Sequence, residues 1–458
     1  MSPTTLRRIE PPLSVLAAAL LGIAVVQLAY RTEPIVPLAL AGGAGLAFLS
    51  VWRPMIALYA AVALAPLELI SFQFGGAGVS PAEGVLAASG AGWAASRLAR
   101  GQAPFAPSPL GWPLGLMVVA LVPGIAIVTE PSTVIKVLIL WTAFFFVYQM
   151  LVVEGTPETV RNLLFVLAAS AGVVGAIAVV GAGGALPELR GGGEAASGRA
   201  SGSFGHPNTL ATFEALALPG ALALGLKGPV LMRPIALTAF GMIFAGLVLS
   251  LSRGGLLAVA GALLMMLLWA PVRRTVLVAG AVIAVVAAAG ANPLGDTQET
   301  QVLGQRLGSI KESAGGINPR FRVWEETPRI IADNPLIGIG QNAFPEVAPR
   351  YGILLGNGTY EHAHNIALTI AAELGLIGLA ALVWLVLALA RTLLQAYRAA
   401  PAQRGLVLAI AAAFLALALQ GLVDYTLRSA VIVGVIFALA GCSVVLARRG
   451  DGADGAPA

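Results

Sequence analysis

The chain has little charge, almost no cysteine and few histidines. Of its 458 residues only 11% are Asp, Glu, Lys or Arg, too few to cover the surface of a water-soluble protein of this length. The single cysteine, Cys442, excludes disulfides and cysteine-based metal sites. His206, His362 and His364 are the only histidines, and a lone His-x-His step is not a metal-ligand set, so no metal and no cofactor are expected. The formal charge of +5 comes from basic residues scattered singly between apolar runs. That pattern is not the footprint of a nucleic-acid-binding protein, and no nucleic-acid partner is expected.

What is abundant is apolar. Hydrophobic residues make up 58% of the chain and the mean hydropathy is +0.88. Glycine (55) and proline (29) are frequent, as packed membrane helices tolerate. Fourteen runs approach the ~20 residues needed to cross a bilayer core. They lie at 13–30, 35–52, 54–72, 81–97, 110–128, 132–153, 159–181, 208–226, 229–251, 254–270, 274–291, 364–390, 403–423 and 428–447. The expected fold is therefore all-α, a polytopic transmembrane helix bundle embedded in membrane lipid. The first run follows Arg7 and Arg8, lacks a convincing cleavage site before Arg31, and reads as an uncleaved first helix.

Counting Lys and Arg in alternate short loops orients the bundle. With the N-terminus inside, fifteen fall inside and six outside, which predicts both termini to be cytoplasmic. Two outer segments stand out. Residues 182–207 are rich in Gly, Ala and Ser. Residues 292–361 carry six basic and eight acidic side chains and form one large water-exposed loop. The expected organisation is a bundle over 1–291, the loop over 292–361, the rest of the bundle over 362–449 and a disordered tail over 450–458. No internal repeat is visible.

Polar residues inside apolar runs are costly, so their placement is informative. Lys136, Glu68, Glu214, Arg253 and Asp424 all fall near the outer ends of their runs, which suggests an outward-facing polar site. Arg253 lies in Ser252-Arg253-Gly254-Gly255, a short break that opposes the inside bias of positive charge. It suits phosphate or diphosphate contact, or simply a lipid phosphate. In the loop, Pro319-Arg320-Phe321-Arg322-Val323-Trp324 sets two arginines beside an aromatic pair. On a helix Arg320 and Trp324 share a face, while Arg322 points elsewhere. Where the loop rejoins the membrane, Tyr360-Glu361-His362-Ala363-His364-Asn365 places two histidines at the mouth of a helix. They suit general-base chemistry or, more blandly, a helix cap.

In order and spacing these pieces resemble the O-antigen ligase and polymerase family of bacterial membrane glycosyltransferases, over roughly residues 205–390. The resemblance rests on Phe204-Gly205-His206-Pro207-Asn208, Ser252-Arg253-Gly254, Arg320 with Trp324, and Asn334-Pro335-Leu336-Ile337-Gly338-Ile339-Gly340. Its most specific part is His364-Asn365, nine residues, then Gly375-Leu376-Ile377-Gly378, a ligase-type pattern. It implies a bundle of about 12–14 helices, GT-C-like, with a large periplasmic helical loop. It also implies a metal-independent, inverting glycosyltransferase of the bacterial inner membrane with its active site facing the periplasm.

The implied donor is a glycan on undecaprenyl diphosphate, and the acceptor a lipid A core sugar in a ligase or another lipid-linked unit in a polymerase. Carried over by position, Arg253 and Arg320, with Arg322 as a less certain partner, would hold the diphosphate. His364 would activate the acceptor hydroxyl; His362, Asn365, His206 and Asn208 would support the site. Transfer to a protein hydroxyl is a related alternative. A lipid-linked glycan transporter is the rival from another class, although few ionisable residues sit at a predicted midplane.

Overall fold

A computed structural model describes residues 51–68, 72–74, 77–182, 199–275, 319–354 and 360–448, together with isolated positions at 45, 48, 49 and 277. Helices dominate: α1 (Pro54–Ala63), α2 (Pro81–Ala99), α3 (Gly111–Val119), α4 (Gly124–Ile127), α5 (Pro131–Glu154), α6 (Pro157–Ala182), α7 (Pro207–Lys227), α8 (Met232–Leu249) and α9 (Arg253–Met266). After a gap come α10 (Pro319–Asp333), α11 (Phe344–Val347), α12 (Ile366–Ala399), α13 (Arg404–Gly421) and α14 (Ala430–Arg448). One small antiparallel hairpin, β1 (Phe72–Phe74) and β2 (Ala77–Val79), pairs Phe72 with Val79.

Among the described residues, α5, α6, α7, α8, α12, α13 (with the short turn before it) and α14 are long and apolar enough to cross a membrane. The chain is an all-α, multi-pass membrane protein. Four expected spans take a different form. The run at 81–97 forms α2, which is long enough but not apolar enough to count as a span. The run at 54–72 stops being α-helical after Ala63, passes through a short 3-10 helix at Ala65–Leu67 and ends at the first residue of the hairpin. The run at 110–128 breaks between α3 and α4, next to Pro123, whose ring cannot continue the ladder. The run at 254–270 forms only the 14 residues of α9 as regular helix. The runs at 13–30, 35–52 and 274–291, the segments 183–198 and 292–318, and the tail after Arg448 lie wholly or almost wholly outside the described residues.

Local chemistry starts and spaces these helices. Ser80 and Glu83 form a reciprocal cap on α2: Glu83 N–H donates to Ser80 Oγ (3.3 Å) and Ser80 N–H to Glu83 Oε2 (2.6 Å). Proline occupies the first turn of α1, α2, α5 and α7, where its missing N–H costs nothing. Helix α7 is buried almost all round, between α6, α8, α9 and α13, and α14 is similarly enclosed. Small residues permit the closest approach. A Cβ on Gly175 of α6 would stand 2.3 Å from the Met242 carbonyl oxygen of α8, so only glycine fits.

The feature that positions the site is a break in α12. Gly375 has φ 66° and ψ −168°, outside helical space. Alongside it runs Asn334–Gly340, with Gly338 and Gly340 also at positive φ. Ile339 N–H and Gly340 N–H donate to the carbonyls of Ala372 and Glu373 (both 2.9 Å), and Leu376 N–H donates to the Pro335 carbonyl (2.7 Å). Backbone groups that the break frees are thereby satisfied by the neighbouring strand of loop. Two glycine motifs far apart in the chain are one joint, and it fixes α10 against the head of α12.

Candidate functional site

Four segments meet at one end of the bundle. The turn before α9 carries Leu251 at φ 50°, and Ser252 caps the helix, its Oγ accepting Gly255 N–H (3.3 Å). Arg253 is thus the first helical residue, with an exposed side chain. Arg199 reaches the same turn: its Nε donates to the Ser250 carbonyl (3.0 Å) and its Nη2 to Asn208 Oδ1 (2.8 Å). In the first turn of α10, Arg320 Nη1 donates to the Val423 carbonyl (2.6 Å), beyond the end of α13.

These three guanidinium groups line a cavity of about 290 Å3 together with Asn208, Ser252, Gln420 and Asp424. Among the described residues Asp424 is the only carboxylate on its wall, so three arginines face one acid there. Three guanidinium groups converging on one cavity suit a multivalent anion such as a diphosphate.

Asp424 also joins the cavity to the histidines. His364 Nδ1 and Asp424 Oδ1 are 3.2 Å apart, and the carboxylate additionally accepts Tyr425 N–H (2.9 Å). Burial alone would push the Asp424 carboxyl up. The His364 hydrogen bond, the two neighbouring histidines and the Tyr425 N–H outweigh it and hold the group well below the usual carboxylate range. His364 is itself left-handed (φ 49°), a costly conformation for a non-glycine residue. Its backbone N–H donates to His362 Nδ1 (3.1 Å), and the two rings stand 4.4 Å apart. Burial, helped by the neighbouring His364, lowers the His362 pKa to about 3, so His362 stays neutral and serves as an acceptor.

Other anchors hold the segment in place. Asn365 caps α12, its Oδ1 accepting Leu368 N–H (3.0 Å), and its Nδ2 donates to the Leu422 carbonyl (3.0 Å). The capping role expected of the His364-Asn365 step therefore belongs to Asn365, leaving the His364 ring for Asp424. Trp324 Nε1 donates to the Ala363 carbonyl (2.8 Å), which ties α10 to the histidine segment. Arg320 and Trp324 thus face the same way, as their spacing predicts.

The structure brings Arg253, Arg320 and Asn208 to one cavity and sets His364, His362 and Asn365 beside it. Arg322 is exposed and does not line the cavity. His206 caps α7, with its Nδ1 accepting Asn208 N–H (3.0 Å), and so braces a residue of the cavity wall. Of the other polar residues in apolar runs, Glu214 is fully buried against Gly246 in the bundle, away from the cavity. Glu68 accepts from Ser429 Oγ (2.8 Å), and Lys136 pairs with Glu83 (3.5 Å) and donates to the Gly78 carbonyl, so these form a separate tie. Arg199 and the specific pairing of Asp424 were not legible beforehand. An arginine six residues before the Gly205-His206-Pro207-Asn208 turn was the available signal for the former.

Residues 238–383 match the family model described as O-antigen ligase. The matched segment is 146 of the 458 residues, and over it the chain is similar to the O-antigen ligase family. The matched segment includes Arg253, Arg320, His362, His364 and Asn365, and leaves Arg199, Asn208 and Asp424 outside. No curated protein matches the chain. Ligase- or polymerase-type glycosyl transfer in envelope polysaccharide assembly is the activity class that this family indicates.

A second feature adjoins the site. An apolar groove of about 930 Å3 runs between α3, α5, α12, α13 and α14, from Asn365, Gly421 and Leu422 at the site end to Tyr397 and Leu408 at the other. Leu422 lines this groove, and Val423 and Asp424, the next residues, line the arginine cavity.

Proposed function

We propose that the chain transfers a glycan from undecaprenyl diphosphate to an acceptor hydroxyl, a lipid A core sugar in the ligase reading, at the periplasmic face of the bacterial inner membrane. The observation that carries the reading is the cavity lined by Arg199, Arg253 and Arg320 beside the His364–Asp424 pair. A diphosphate would occupy the cavity, and the polyprenyl chain would lie along the apolar groove that shares its wall.

In the reaction the acceptor oxygen attacks the anomeric carbon. The bond from that carbon to the diphosphate breaks, and its electron pair leaves on the diphosphate oxygen. Three guanidinium groups stabilise the charge developing there, a role metal ions fill elsewhere, which makes a metal-independent route chemically sufficient. His364 takes the hydroxyl proton on Nε2, while Asp424 holds Nδ1–H and stabilises the imidazolium that forms. Attack opposite the leaving group inverts the anomeric centre. Polymerisation of lipid-linked units and transfer to a protein hydroxyl use the same donor chemistry and differ only in acceptor.

Purified protein in nanodiscs, given a lipid-linked glycan and a lipid A core acceptor, tests the reading. Transfer should persist in EDTA and disappear in His364→Ala and Arg253→Ala protein that remains folded. Full activity of either variant removes its residue from the mechanism. The lipopolysaccharide profile of a deletion strain separates the acceptors: a ligase mutant loses all glycan on the core, and a polymerase mutant keeps one unit.

A further inference from the structure

The pair that serves the proposed base also has the makings of a metal chelate. Donor atoms of His362, His364 and Asp424 lie within 4.8 Å of one another. Two donors about 2.0–2.1 Å from a tetrahedral ion stand about 3.3 Å apart. His364 Nδ1 and Asp424 Oδ1, at 3.2 Å, already match that edge. The third donor, a nitrogen of His362, lies within 4.8 Å of both, so closing the set requires that ring to move inward. Two imidazoles and one carboxylate are the borderline donor set favoured by Zn2+ and its neighbours, not by Mg2+ or Ca2+.

The sequence alone argues against a metal here, since His-x-His supplies two ligands and no third histidine or cysteine is near in the chain. Asp424 changes that count from sixty residues away. The left-handed backbone at His364 contributes as well, because it turns that ring toward both His362 and Asp424.

We infer that His362, His364 and Asp424 form a binding site for a Zn2+-class transition-metal ion, and that the ion blocks the site instead of serving it. The reason is the tautomer. An ion on His364 Nδ1 replaces the proton now shared with Asp424, and the neutral ring must then carry its proton on Nε2. That nitrogen can no longer accept a proton from an acceptor hydroxyl. The blocking effect rests on the transferase reading, whereas the binding does not, so the two can fail separately.

Binding is measured directly on the full-length protein in detergent or nanodiscs, with Co2+ as a spectroscopic probe and Zn2+ in competition with a chromogenic chelator. One Co2+ per chain, with the intense visible bands of a tetrahedral ion displaced by Zn2+, is expected. Asp424→Asn and His362→Gln should each weaken it about tenfold or more, since loss of even an outer-shell partner costs that much. Absence of a stoichiometric site, or binding that survives both ligand substitutions, overturns the inference. Tight Zn2+ binding without loss of glycan transfer would keep the site and overturn the blocking role.

Discussion

His364 Nδ1 lies 3.2 Å from Asp424 Oδ1, a contact that joins the head of α12 to the turn after α13. The carboxylate is buried and faces the arginine cavity as well, so one residue links the proposed base to the proposed anion site. Asp424 is a positioning residue in this arrangement, because it acts through His364. Asp424→Asn should lower kcat by up to about 10²–10⁴-fold, the full range for general-base assistance, with little change in KM. A steady-state split in which KM rises and kcat holds would contradict that role.

The two arginines of the Arg320-Phe321-Arg322 step should separate cleanly. Arg320 donates to the Val423 carbonyl and lines the cavity, whereas Arg322 is exposed away from it. Arg320→Ala should cost about 10²–10³-fold in transfer, the effect of removing one preorganised donor. Arg322→Ala should stay close to wild type. Equal losses in the two variants, measured as single-turnover rates, would show that the cavity is not the anion site.

Arg199 should behave like Arg253 and Arg320 despite lying outside the segment that matches the family. Lysine keeps the charge but not the fork that reaches Ser250 and Asn208 together, so Arg199→Lys should not restore transfer lost in Arg199→Ala. Recovery of most activity by the lysine variant would reduce its role to bulk charge.

Stability should respond oppositely to two glycine substitutions. A Cβ on Gly375 would stand 2.2 Å from the Leu336 carbonyl oxygen, and its φ of 66° disfavours any other residue. Gly375→Ala should therefore destabilise by at least the 1–3 kcal/mol typical of such strain, roughly, and loosen α10 from α12. Gly84, in the first turns of α2, has open space around it. Gly84→Ala should be neutral or stabilising by up to about 1 kcal/mol. Thermal unfolding in detergent, followed by tryptophan fluorescence, ranks the two.

Trp324→Phe tests the link from loop to histidine segment. It removes the 2.8 Å bond to the Ala363 carbonyl while keeping an aromatic ring against Phe321. A loss of about 1 kcal/mol is expected from that bond. Transfer should fall more than unfolding does, since His364 is the next residue after Ala363. A variant with unchanged transfer would mean that α10 does not help to place His364.

Much of this was legible from residue order alone. Sparse charge and spanning apolar runs specify a membrane bundle, because lipid imposes the same cost on every exposed polar group. Arg253 stands out for the same reason, as a polar residue in a short break between apolar runs, whereas Arg320 and His364 stand out through the motifs that resemble the family. Arg199 was hidden in a Gly/Ser-rich stretch, where one arginine reads as an ordinary surface charge. Asp424 was visible as a polar residue at the outer end of its run, but its pairing with His364 was hidden, because a carboxylate near a helix end ordinarily meets water.

By itself, then, the sequence determined the all-α membrane class and the short motifs, since hydropathy and local spacing are properties of contiguous residues. Only the tertiary structure decided which motifs share a site. Gly375 opens α12 to the Asn334–Gly340 passage, that joint sets α10 over the bundle, and Asp424 comes to His364 across sixty residues. Such pairings depend on helix packing and on the satisfaction of freed backbone groups, and neither leaves a periodic trace in the chain.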